Sequence, residues 1–97
     1  MDPCPNRIDD AEVLAWMVLD ETTSPTGNAR HIVRGTEMPP ASGLAICRYD
    51  LDQGFYLFYC DATWCPQNDT YHDTIEDAKA QASFEYNNLQ ARWNPKA

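Results

Sequence analysis

Apolar blocks of strand length alternate along this chain with short polar breaks. The first block covers residues 11–19, Ala-Glu-Val-Leu-Ala-Trp-Met-Val-Leu. Its run of seven apolar residues from Val13 to Leu19 fits a strand buried on both faces. Ala, Leu and Met, with Asp9 or Asp10 as a cap, also suit a helix. Periodicity does not separate the two readings. Residues 22–28 (Thr-Thr-Ser-Pro-Thr-Gly-Asn) form a turn or loop by their Gly, Pro and Asn content. Residues 30–34 make a short strand closed by Gly35, so the strand reading turns residues 11–34 into one long hairpin. A loop through Pro39, Pro40 and Gly43 follows.

The middle of the chain is clearer. Residues 44–50 and 55–61 are rich in aromatic and β-forming side chains, and residues 51–54 between them are a Gly-containing turn of hairpin length. An antiparallel hairpin is expected there, followed by a loop over residues 61–73. Thr74 then caps a helix, with Asp77 three residues on in a weakened capping box and Glu76 beside it at the positive end of the helix dipole. At helical spacing Ile75, Ala78, Ala82, Tyr86 and Leu89 form one stripe, and Asn87-Asn88 suits the helix end. The expected fold class is α+β: an antiparallel three- or four-stranded meander sheet with a C-terminal helix packed on one face. Residues 1–7, with two prolines, read as a disordered N-terminal arm, and residues 8–97 as a single α+β domain.

Strand alternation puts Phe55, Leu57 and Tyr59 on one face, and Tyr56, Phe58 and Cys60 on the other. Both faces are apolar, yet one short helix covers only one. The second needs the N-terminal segment, a second copy or a partner. Phe84 lies about 180° from the helical stripe and needs its own cover, from Trp93 or a partner.

With 97 residues the chain is one domain, folding to roughly 5,600 Å² of surface, enough for a core without a metal or disulfide. A hydrophobic content of 43% and an aromatic content of 11% exclude global disorder. No apolar run reaches the roughly 18–20 residues of a membrane helix. The net charge of −8 argues against binding a phosphate backbone. No secretory signal precedes the first block, so the expected location is cytoplasmic, where Cys4, Cys47, Cys60 and Cys65 stay thiols. Cys47 and Cys60 fall in apolar runs and read as core, whereas Cys65 reads as an accessible loop thiol.

Three constellations bear on chemistry. Cys60, Cys65 and His72, with Asp61 and Asp69 nearby, offer metal ligands, but a zinc knuckle brings a second close Cys/His pair that this chain lacks. The same thiols with His72 and Asp69 or Asp73 have the residue types of a thiol enzyme without its nucleophile signature. Asp69, Asp73, Glu76 and Asp77 cluster where capping accounts for Glu76 and Asp77. His31, inside a short strand, reads as a structural or edge residue. No catalytic residue, cofactor or metal is therefore assigned. Charge distribution says more. No Lys or Arg stands between Arg48 and Lys79, while Asp50, Asp52, Asp61, Asp69, Asp73, Glu76 and Asp77 do. Such a field favours basic partners. Trp64, Tyr71 and Tyr59 add side chains that anchor interfaces when exposed.

Residues 54–61, then Trp64, Asp69-Thr70-Tyr71-His72 and the Ala-rich residues 74–86, ending at Trp93, resemble small bacterial proteins of uncharacterised function. The hairpin-then-helix arrangement is loosely similar to that of toxin-immunity proteins. That resemblance, which covers residues 44–93, implies no catalytic residue. The resulting expectation is a non-enzymatic, acidic, immunity-like protein-binding domain docking on a basic protein. Asp61, Trp64, Asp69, Tyr71, His72 and Asp73 would form or border the contact. A homodimeric structural domain is the alternative.

Overall fold

A computed structural model describes residues 1–96. Its elements are β1 (Arg7–Ile8), β2 (Ala11–Val18), β3 (Ile32–Val33), β4 (Thr36–Glu37), β5 (Gly43–Arg48), β6 (Phe55–Cys60), β7 (Pro66–His72), α1 (Ile75–Glu85) and β8 (Asn94–Pro95). The expected hairpin is β5–β6, in register from Gly43↔Cys60 to Cys47↔Tyr56. The fold is α+β with an antiparallel sheet, as expected, but the sheet has six strands rather than three or four. Its order is β1-β2-β5-β6-β7, with β8 also on β2. The accessible surface is 5841 Å².

Residues 11–18 are a strand, yet not half of a hairpin with residues 30–34. β2 pairs with β5, and residues 32–37 form a separate two-stranded unit. Asp9 and Asp10 cap no helix. Both take positive φ (50° and 65°) in the two-residue turn joining β1 to β2, where Asp is among the side chains that tolerate the left-handed region. The stretch expected as a loop over residues 61–73 contains β7. Pro, Asn and Asp favour turns, but pairing with β6 overrides propensity, and Pro66 stands at the first strand position, where a missing N–H is tolerated.

The two apolar faces make two cores. Ala15, Met17, Leu44, Ile46, Leu57 and Tyr59 face α1, which contributes Ala78 and Ala82; Tyr86 and Leu89 follow it into the same core. Ala11, Val13, Ala45, Cys47, Phe58 and Cys60 face the other way. Ala11 through Met17 are alternate residues that a regular strand would keep on one face. A bulge between Val13 and Ala15 switches faces midway, so β2 serves both cores.

The second face is covered from within. The arm expected to be disordered lies on it, with Cys4 and Ile8 buried and the Val13 N–H donating to the Asn6 carbonyl at 2.9 Å. Trp64 completes the cover. Its Nε1 donates to the Asp2 carbonyl at 2.8 Å, and its ring meets Trp16 edge-on at 5.8 Å. Gly43 makes room for that ring, because a Cβ there would lie 2.7 Å from it.

α1 starts as expected, with Asp77 N–H donating to Thr74 Oγ1 at 3.0 Å. It stops at Glu85, short of Asn87-Asn88, because the 24–28 loop takes its terminal carbonyls. Thr26 N–H donates to Glu85 O at 2.8 Å, and Asn28 Nδ2 to Phe84 O at 2.9 Å. Phe84 itself remains 52% exposed.

Because Trp64 is core, truncation to Ala removes about 3–5 kcal/mol of stability, and Gly43→Ala about 1–3 kcal/mol by overpacking. Urea denaturation of both variants checks this; a midpoint unchanged in Trp64→Ala would refute the cover.

Candidate functional site

The six residues expected at a docking surface separate into three places. Asp61 and Trp64 build the β6–β7 connection. Asp61 Oδ1 accepts from Thr63 N at 2.9 Å, Thr63 Oγ1 at 2.8 Å and Cys65 N at 3.0 Å. Those bonds, the Thr63 hydroxyl foremost, hold its carboxyl below the usual range. They close a tight loop in which Trp64 adopts φ 63° and points onto the second core. Trp64 is therefore buried rather than an exposed anchor. His72 is half-buried on the helix side of β7, where its Nε2 lies 2.7 Å from Thr70 Oγ1. Asp69 and Tyr71 are exposed on the opposite side of the strand, and Asp73 is exposed just beyond its end.

The metal and thiol constellations do not assemble. Cys60 is buried on the second face while His72 sits on the helix face, and Cys65 stands at the far end of β7. Among the described residues no group of three His, Cys, Asp or Glu side chains could hold a metal ion.

Asp69 and Tyr71 belong to a cluster built by strand register. Tyr71 pairs with Tyr56, and Asp69 with Phe58, so all four point to the second face. Tyr49, just past β5, joins them. Tyr56 meets Tyr71 at 5.0 Å and Tyr49 at 5.3 Å between ring centroids, both edge-to-face. Buried Phe58 lies behind them, tilted against Tyr56 at 6.2 Å. Edge-to-face packing is the favoured aromatic geometry.

Each hydroxyl is fixed by a carboxylate. Tyr49 donates to Asp9 Oδ2 at 2.8 Å, Tyr71 to Asp52 Oδ1 at 3.3 Å and Tyr56 to Asp52 Oδ2 at 3.4 Å. Asp52 is placed by the turn, accepting from Gly54 N–H at 3.2 Å. That backbone bond, then the Tyr71 and Tyr56 hydroxyls, keep its carboxyl below the ordinary value. Partial burial, then the neighbouring carboxylates, raise all three phenols; Tyr49 is pushed up to about 12. Asp50 beside the patch is paired with Arg7 at 3.4 Å in an exposed contact. Arg48 lies on the other face, over the Phe55 ring at 5.5 Å.

A second polar cluster lies on the helix face; from the sequence it held only His31 in a structural role and Tyr59 as an anchor if exposed, and Tyr59 is buried. Glu85, 5% exposed, accepts from His31 Nε2, Tyr59 Oη and, at 2.8 Å, Gln81 Nε2. Asn68 Oδ1 accepts from Asp69 N–H at 2.9 Å, which turns its Nδ2 toward His31 Nδ1 at 2.8 Å. His31 Nδ1 is thus an acceptor, and its proton sits on Nε2 facing Glu85. Burial, then Glu85, pushes the Tyr59 phenol far up. The cluster borders a cavity of about 140 Å³ lined by Pro39, Pro40, Asn68 and Tyr86 among others. His31 itself lines that cavity, with its Nε2 toward Glu85 and its Nδ1 toward Asn68. What the cluster does is tie the 29–42 segment to β6, β7 and α1.

Strand parity was the missed signal for the tyrosines: once residues 66–72 are a strand, Tyr71 falls opposite Tyr56. Nothing local in the sequence links Glu85 with His31. No family model matches this chain, and no curated protein or solved structure matches it.

Native protein treated with a thiol reagent exposes Cys65 at once, with Cys4, Cys47 and Cys60 reacting only on unfolding. Burial pushes Cys4 from 9.0 up to about 11, so the folded arm keeps a proton that the unfolded chain releases. Cys60, pushed up to about 12, and Cys47, pushed further, act in the same direction, so stability is full below about pH 9 and falls as pH rises through 11 toward 12, measurable by urea titration across that range. Separately, Gly54→Ala would set a Cβ 2.0 Å from Tyr71 Oη and expel the ring. The Tyr71 phenol then titrates closer to the ordinary value of 10.0, visible by ultraviolet pH titration; an unchanged curve would contradict the packing.

Proposed function

We propose that this chain is a non-enzymatic, acidic protein-binding domain that docks on a basic protein partner through the tyrosine patch of β5, β6 and β7. The observation that carries the reading is the trio Tyr49, Tyr56 and Tyr71, packed edge-to-face with every hydroxyl held by Asp9 or Asp52. Aromatic rings fixed before contact lose little entropy on binding and act as anchors. Their faces attract Arg and Lys. The carboxylates Asp50, Asp52, Asp69 and Asp73 add a field that speeds the approach of a basic surface. Of the residues expected at the contact, Asp69, Tyr71 and Asp73 stay in this reading, and Asp61, Trp64 and His72 leave it. Neutralising a basic protein, as immunity proteins do, is one role that such a surface serves, and a cytoplasmic setting suits four free thiols.

The homodimer alternative rested on an uncovered apolar face. Cys4, Ile8 and Trp64 cover much of that face, which removes its main motive.

Immobilised chain incubated with lysate of its source is expected to retain a basic protein in stoichiometric amount at low salt and release it at about 0.5 M, where the Debye length falls to roughly 4 Å and attraction beyond direct contact is screened. The double variant Asp69→Asn/Tyr71→Ser changes two exposed side chains, and capture should fall at least about tenfold, the effect of losing one hot spot. Equal capture by this variant would overturn the assignment of the patch.

A further inference from the structure

The hydrogen-bond phase of the sheet decides which backbone groups of β7 are free. Ser42 is irregular, its C=O accepting from Leu19 N–H at 2.9 Å while its N–H donates to Cys60 O at 2.8 Å, so the phase is set by Val13, whose N–H donates away from β5 to Asn6 O at 2.9 Å and makes Val13–Cys47 a non-bonded pair of the β2–β5 ladder. Bonded and non-bonded pairs alternate in an antiparallel ladder. Leu44 and Ile46 therefore bond to β2, and Gly43, Ala45 and Cys47 to β6. On β6, Tyr56 and Phe58 are used by β5, leaving Phe55, Leu57 and Tyr59 to bond β7 through His72, Thr70 and Asn68. Asp69 and Tyr71 then direct their N–H and C=O away from the sheet. The Asp69 N–H agrees, being taken by the Asn68 side chain.

This is the long open edge of the sheet among the described residues. The opposite side of β2 is occupied by β1 and β8, whereas β7 has β6 alone. Natural edges are usually blunted. Here a bulge between Tyr59 and Cys60 and the adjacent Pro66 blunt only the start, leaving residues 68–72 regular.

The two residues with outward backbone groups are also the two that present their side chains on the tyrosine face. We propose that β7 takes up an extended, basic segment of a protein partner as an added antiparallel strand, an inference that rests on the docking reading above. A guest residue opposite Asp69 meets a carboxylate, and one opposite Tyr71 lies along the phenol ring. Both sit on the same face, two residues apart, so Arg or Lys at alternate guest positions matches the edge. Backbone bonds supply affinity and the alternate side chains supply selection, as in other strand-addition complexes.

Charge argues against a second copy as the guest. Self-pairing centred on Asp69 sets two Asp69 carboxylates directly opposite; centring on Thr70 leaves them diagonal neighbours. Either register joins two chains of net charge −8.

The test uses the whole chain, isotopically labelled, at low salt, with the blocked heptapeptide Arg-Thr-Arg-Thr-Arg-Thr-Arg. A second probe is the same peptide N-methylated at its arginines, which keeps the charge and side chains but removes the donors that face β7. The expected result is slowed amide exchange at Tyr71, by about tenfold or more, with Thr70 and His72 unchanged. The methylated peptide should bind roughly tenfold more weakly, the effect of losing one or two hydrogen bonds. If both peptides shift the Tyr56 and Tyr71 rings with equal affinity and Tyr71 exchange stays fast, strand addition is wrong while docking stands. If neither binds, the docking reading falls and the strand goes with it. Tyr71 protection that grows with protein concentration alone would assign the edge to a second copy and overturn the proposal.

Discussion

The indole of Trp64 lies against Gly43 with its Nε1 on the Asp2 carbonyl, and this contact lets a sheet with two apolar faces exist in a chain with one helix. A face built from Ala45, Cys47, Phe58 and Cys60 cannot be left to water in a monomer. The helix serves the other face, so the chain folds its first eight residues and one loop side chain back over this one. The bulge in β2 belongs to the same solution, since it lets one strand feed both cores. The cover ends at Phe58. Beyond it, toward the β5–β6 turn, the second face continues as Tyr56, Tyr49 and Tyr71, whose hydroxyls make a partly exposed surface affordable.

The excess of carboxylates has two separable uses. Asp20, Asp52 and Asp61 accept local hydrogen bonds in turns, and each carboxyl titrates below its ordinary value for that reason, the Thr22 hydroxyl acting first on Asp20, the Thr63 hydroxyl on Asp61 and the Gly54 N–H on Asp52. Glu85 is buried and gathers His31, Tyr59 and Gln81, fixing the 29–42 segment to the sheet. These acids are architecture. Asp69 and Asp73 have no such employment, and they stand beside the tyrosines. The proposed docking surface is thus the place where aromatic groups and uncommitted charge coincide.

The sequence made some of this legible and concealed the rest for physical reasons. The hairpin expected over residues 44–61, the Thr74 cap and the Ile75, Ala78 and Ala82 part of the stripe follow from local propensity and spacing and appear as expected, whereas Tyr86 and Leu89 reach the same core from beyond the helix end. The sharing of Phe55, Leu57 and Tyr59 against Tyr56, Phe58 and Cys60 follows from alternation alone. β7 was hidden because Asn68 and Asp69 are turn formers, and its strand conformation comes from a neighbour rather than from itself. Trp64 looked like an anchor because its burial depends on a tertiary partner, the arm, whose prolines suggested disorder. Charge and residue type singled out Asp69 and Tyr71; that Tyr49, Tyr56 and Asp52 surround them required the register of a strand that local sequence did not reveal.

The central claim is that recognition takes place on the tyrosine face. Hydroxyl-radical footprinting of the chain, free and in complex with the basic partner that the proposal calls for, reads that face residue by residue. The account predicts protection concentrated at Tyr49, Tyr56 and Tyr71, with Phe84 on the helix and Met38 beside the cavity labelled as in the free chain. Protection of Phe84 or Met38 with the three tyrosines unchanged would contradict it.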